Sequence, residues 1–205
     1  MASEQYEELK VRLGVLVEEF VDFRIPLDRD PTPLEKDKIA AFKLLAHAEF
    51  ETFLEGRIQF AISRSVEIWD NRKAVTRCLF NLVIRWYPWF EKDKNPNILP
   101  RSIGQARLLI ECCVRKAHEE ITSNHGIKQE AFKRLAYSGG LLTDELEGTL
   151  LAALESYGKT RGDVAHVAVG RVRTMNDPGV EAEDANTLLQ LLEQFDGNII
   201  LIVSI

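Results

Sequence analysis

The fold class this sequence predicts is all-α, and three observations predict it. Apolar residues recur at steps of three and four through most of the chain. The longest such pattern runs from about Leu34 to Trp69, a length that suits the central helix of a bundle. No alternation of strands with helices, no Gly-rich phosphate loop and no internal repeat interrupts it. The expected architecture is a helical bundle with a long central helix and additional packed helices. It forms one domain over 1–205, with its core in 34–204 and an N-terminal helix and linker in 1–33.

Segment 3–23 carries the first stripe: Tyr6, Leu9, Leu13, Leu16, Phe20 and Phe23. Prolines at 26, 31 and 33 break it. In the long helix, Ile39, Phe42, Ala46, Phe50, Phe53, Leu54, Ile58 and Ile62 make the apolar face. Lys36, Lys38, Lys43, Glu49 and Arg64 are assigned to the other side, and Asp70-Asn71 is a stop. Segment 74–90 is rich in β-branched and aromatic residues, and its context makes it helix. Pro88 is expected to end that helix near Trp86, with Trp86, Tyr87 and Trp89 as core or docking aromatics. Glu91 to Ser102 reads as a polar loop. Segment 103–124 is helical through Ile103, Ala106, Leu109, Ile110, Val114 and Ala117, and Gly126 ends it. Residues 127–138 form a short helix closed by Gly139-Gly140. Thr143 then caps a new one with the stripe Leu146, Leu150, Leu154 and Tyr157, which Gly158 ends or kinks. Thr160-x-x-Asp163 reads as a capping box that restarts the helix, with Arg161 at its first position and His166 inside it. Gly170 to Gly179 is a turn region. A last helix runs from about Ala182 through Leu188, Leu192, Phe195, Ile199 and Ile202.

The totals narrow the function. The chain is 45% hydrophobic and 28% charged, as in an ordinary soluble globular protein. No apolar run approaches the roughly 20 residues of a membrane span, so no membrane partner is expected. The N-terminus is polar and acidic, unlike a signal peptide. Three cysteines, two of them adjacent (Cys112 and Cys113), make no disulfide framework. They are expected to pack as small hydrophobes in a reduced, cytoplasmic setting. No Cys/His spacing resembles a zinc site, and no metal or other cofactor is expected. A net charge of -6 argues against an indiscriminate nucleic-acid binder but leaves room for a local basic patch.

The stretch Arg161-Gly162-Asp163-Val164-Ala165-His166 carries the chemistry. An arginine steadies negative charge on phosphoryl oxygens, and a histidine moves protons near neutral pH. The stretch Ala48-Glu49-Phe50-Glu51-Thr52-Phe53-Leu54 is the second motif. Together, in an all-α chain, they resemble the HEPN superfamily of small helical ribonucleases, and within it the RiboL-PSP type. The resemblance covers residues 34–204. Family members carry Arg-x4-6-His near the start of a late helix. The residue after the arginine, often Asn or Asp in the family, is Gly162 here. Asp163 either takes that place or is merely a capping residue. Val167 replaces the small residue often seen after the histidine. Ala168 stands where a nucleotide-transferring variant has tyrosine, which argues against transfer.

The resemblance implies a metal-independent endoribonuclease, in family context a toxin or anti-phage effector held in check by an inhibitory partner such as an antitoxin. His166 is then the base or acid and Arg161 the cation. One histidine cannot serve both ends of the reaction in one turnover, so a two-fold homodimer is expected. The Phe50–Phe53 face and the helix of Leu188 to Ile202 are its candidate surfaces. In a straight helix, positions five apart point about 140° away from each other. Lys159, Arg171 and Arg173 either hold flanking RNA phosphates or are ordinary solvated charges. His47 and Glu51, one turn apart, are either a surface pair or a group in which Glu51 orients Arg161 or His166. The competing reading is a non-catalytic helical module that binds nucleotide or protein. A third is a plain scaffold in which His166 belongs to the core.

Overall fold

The computed structural model describes residues 2–92, 102–166 and 176–204, and of 88–92 and 160–166 the backbone alone. Those residues form seven α-helices, one short 3-10 turn at Thr143–Glu145, and no strand. In order the helices are α1 (Glu4–Phe20), α2 (Pro33–Arg72), α3 (Arg77–Lys92), α4 (Ile103–Thr122), α5 (Gln129–Ser138), α6 (Gly148–His166) and α7 (Pro178–Ile202). The all-α expectation holds. No helix among the described residues is long and apolar enough to cross a membrane.

The helices begin where local chemistry starts them. The Ser3 hydroxyl accepts from the Tyr6 amide at 3.1 Å and caps α1. Thr32 and Glu35 close a reciprocal capping box on α2. The Glu35 carboxylate accepts from the Thr32 amide at 2.7 Å, and the Thr32 hydroxyl accepts from the Glu35 amide at 3.3 Å. Pro33, with no amide hydrogen to leave unpaired, follows at the first helical position. Arg72 ends this 40-residue helix, and Lys73 turns the chain away at φ 56°.

Five boundaries differ from the sequence expectation. Helix α3 runs through Pro88 to Lys92. A proline removes one donor, and so close to a helix end few bonds remain to be lost. Gly126 does not end α4, which stops at Thr122 with Ser123 as its cap; the glycine takes φ +134° in the linker beyond. Thr143 opens only the 3-10 turn, and α6 starts later, at Gly148. Gly158 neither ends nor kinks α6, which is continuous to His166. Its role is room: a Cβ there would lie 2.9 Å from Lys128 Cγ and 3.4 Å from the Lys128 amide nitrogen. Asp177-Pro178-Gly179 is the start of α7, four residues before Ala182. The Asp177 carboxylate accepts from the Gly179 amide at 2.9 Å, and Pro178 takes the first helical position.

The chain divides into two compact units. The first comprises Met1–Leu54, Gly126–Gln129 and Glu147–Gly197; the second comprises Glu55–His125, Glu130–Leu146 and Asn198–Ile205. In the first, α1 is built into the core. Tyr6, Leu9, Leu13 and Leu16 are buried, as are Phe42, Phe50, Leu154, Leu192 and Phe195. Tyr6 donates its hydroxyl to the Leu189 carbonyl at 3.1 Å, and the Ser3 amide and hydroxyl each donate to Asp196 at 2.7 Å.

In the second unit α3 packs on α4. Side chains of α3 also donate to carbonyls at the C-terminal end of α5. Arg85 donates to the Arg134 carbonyl at 3.1 Å, Asn81 to Tyr137 at 3.1 Å and Cys78 to Ser138 at 3.2 Å. Just past the helix, Arg77 donates twice to the Gly140 carbonyl and forks onto Glu145. Gly140 sits at φ +101°, where a Cβ would come within 2.8 Å of the Cys78 nitrogen, so only glycine fits. Burial pushes the Cys78 thiol up to about 12 and Cys113 up to about 11, so both stay protonated. Cys113 packs as a small hydrophobe, while Cys112 is half-buried on the outer side of α4.

Candidate functional site

The motif lies at the end of a helix, not at a restart. Arg161, Asp163 and His166 have α-helical backbone in the last turns of α6, so Thr160-x-x-Asp163 is no capping box. Their side chains lie outside the described residues, as do Arg171 and Arg173 entirely. Lys159, on the same helix, is exposed. Arg161 stands four residues, about one turn, beyond Tyr157.

Tyr157 is where the site can be built upward. Its ring meets Phe50 of α2 edge-on, with centroids 5.3 Å apart and planes at 86°. Around Phe50, α2 turns a ladder of polar groups inward at four-residue spacing: Lys43, His47 and Glu51. Lys43 and His47 are 6% and 2% exposed, so Lys43 does not lie on the solvent side and His47–Glu51 is no surface pair. The His47 Nδ1 lies 3.9 Å from Glu51 Oε2. Glu51 Oε1 is enclosed and makes no hydrogen bond among the described residues. From α7, Glu181 is fully buried, with Oε1 2.6 Å from Lys43 Nζ. Burial, then the negative charges of Glu181 and Asp184, push the Tyr157 hydroxyl well above its ordinary value. Tyr157 is therefore a neutral hydroxyl at any ordinary pH.

The result is a largely buried polar cluster, separate from the buried Asp196 that Ser3 holds in the same unit. Folding alone does not call for it, since a buried ion pair is often no more stabilising than apolar groups of the same volume. Such clusters concentrate where side chains must be held or protons moved. An enclosed carboxylate oxygen such as Glu51 Oε1 is an acceptor suited to a guanidinium or an imidazole N–H. Among the described residues, no three His, Cys, Asp or Glu side chains are grouped to hold a metal ion.

Of the residues singled out from the sequence, the described part brings Glu51 and His47 into this cluster. Sequence reasoning missed Lys43, Tyr157 and Glu181 as polar members. The signal for Lys43 was present: it continues the four-residue ladder from Ile39 to His47, on the buried side. Glu181 carried no such signal, because the start of α7 was placed too late. The surfaces expected for a dimer are mostly taken up inside the chain, although on α7 Ile202 is half-buried and Leu201 is 73% exposed. Phe50, Phe53, Leu188, Leu192, Phe195 and Ile199 are all at most 5% exposed, consumed by the chain's own core.

Compared with known families, curated proteins and solved structures, the chain finds no match in any of the three.

Proposed function

We propose that the chain is a ribonuclease that cleaves RNA without a metal ion, with Arg161 and His166 as its reacting groups. The observation that carries this reading is the buried cluster on α2, α6 and α7, one turn before the motif on the same continuous helix. In this reading His166 moves the proton of the 2′-OH or of the departing 5′ oxygen, and Arg161 steadies the charge at phosphorus. Glu51 acts through them as a positioning residue, its enclosed oxygen receiving an N–H of one or the other. Lys159, Arg171 and Arg173 are flanking phosphate contacts, and Asp163 supports the motif from within the helix. One motif histidine, His166, per chain makes the working enzyme a homodimer, acting in the cytoplasm. It serves as a toxin or anti-phage effector under an inhibitory protein.

The test is cleavage of end-labelled RNA by purified protein in EDTA. The expected product carries a 2′,3′-cyclic phosphate or the 3′-phosphate derived from it. Arg161→Ala and His166→Ala should stay folded and lose at least ~100-fold in rate. A strict requirement for Mg²⁺ overturns the mechanism. Tight RNA or nucleotide binding without any cleavage selects the non-catalytic binding module instead.

A further inference from the structure

Helix α4 buries Leu109, Ile110, Cys113, Ala117 and Ile121 inside its unit. Its outer face is a ridge of charges at four-residue intervals: Arg107, Glu111, Arg115 and Glu119. Arg107, Glu111 and Glu119 each have side chains 54% exposed, and Arg115 is exposed too. Within the chain, Arg107 reaches Glu111 and Asp70, both at 2.9 Å, and Lys116 reaches Glu119 at 2.7 Å. Arg115 lies 4.0 Å from Cys112 Sγ. An open groove of about 620 Å³ runs along Glu111, Val114, Arg115, His118 and Glu119. Beside the ridge, Ile103 and Leu108 are 65% and 60% exposed, large apolar groups left in water.

The order of signs along this ridge is plus, minus, plus, minus. Reversed, it reads minus, plus, minus, plus, which is its own complement. We propose that α4 is a self-association surface on which a second copy of this chain docks antiparallel, about a two-fold axis at the level of residue 113. With a rise of about 1.5 Å per residue, Glu111 and Arg115 stand about 3 Å to either side of that level, and Arg107 and Glu119 about 9 Å. Antiparallel pairing therefore sets Glu111 opposite the other copy's Arg115 and Arg107 opposite its Glu119, each twice by symmetry. The same operation sets Leu108 against His118 of the other copy. Residues four apart form the ridge that packs in the commonest class of helix crossing. A uniformly charged partner, such as a nucleic acid or an anionic membrane, would meet as many repulsive contacts as attractive ones on this face. A second copy sets every one of the four charges directly opposite a charge of the other sign. The inference does not rest on the ribonuclease reading.

Sedimentation velocity on the full chain and on two charge reversals tests it. The wild type should sediment as a dimer. Glu111→Arg places plus against plus and Arg115→Glu places minus against minus, so each alone should weaken the dimer at least ~10-fold and sediment as a monomer. An equimolar mixture of the two should dimerise again, because every contact across the axis is once more a plus against a minus. The double variant E111R/R115E should dimerise for the same reason. Circular dichroism checks that each variant keeps its helices. If one does not, Arg107→Glu and Glu119→Arg carry the same mixing test. A monomeric wild type overturns the proposal, as do single variants that dimerise like wild type or a mixture that stays monomeric.

Discussion

A lysine 6% exposed inside a helical core is costly unless something answers its charge, and here Glu181 does, at 2.6 Å. Removing one partner strands the other. Lys43→Met should therefore destabilise the protein by about 3–5 kcal/mol, read as a lower urea midpoint at unchanged slope. Lys43→Met combined with Glu181→Leu should recover most of that loss, since apolar groups of similar volume replace such pairs at little cost. A single-variant loss below ~1 kcal/mol would mean that water reaches the pair. This is also the scale at which the sequence was hardest to read. Periodicity placed Ile39, Phe42, Ala46 and Phe50 inside correctly, because apolar residues are buried wherever the period puts them. The same period put Lys43 and His47 inside, but a charged residue is ordinarily assigned outward. Only the arrival of Glu181 from far along the chain makes burial tolerable.

At the scale of the helix, existence was legible and ends were not. The stripes of α1, α2, α4 and α7 stand out because each buries a continuous apolar face. Pro88 and Gly158 misled because their local preference was overruled, the first by its place near a helix end and the second by the close approach of Lys128. The start of α2 is the best-defined boundary and has its own pH signature. The guanidinium of Arg29, then the Thr32 amide, hold the Glu35 carboxyl down from the ordinary 4.5 to about 2. A depressed carboxyl contributes its stabilisation fully above the unfolded value near 4.5 and loses it as pH falls toward 2. An NMR titration of the Glu35 side chain should show a midpoint near 2. The first turn of α2 should fray over the interval between the two values. A midpoint near 4.5 would mean that the capping box does not form in solution.

For the whole molecule, the main fact is that each unit is assembled from separated stretches of chain. The sequence pattern could not reveal this, since periodicity describes a helix and not its neighbours. A fragment ending at His125 holds α1 to α4 but lacks Leu154, Tyr157, Leu192 and Phe195 from one core, and Phe132, Leu135 and Ile199 from the other. It should show no cooperative thermal transition and should bind the dye ANS, as loosely packed helices do. A sharp two-state melt of that fragment would show that the first four helices suffice. The same interleaving governs how the protein is made. A ribosome feeds the chain out from its N-terminus, yet neither core can close until α7, contributing residues up to Gly197 to one and from Asn198 to the other, has emerged. A growing chain therefore carries the Arg161–His166 stretch out before either core can close, and a message truncated ahead of α7 yields a chain with both cores incomplete.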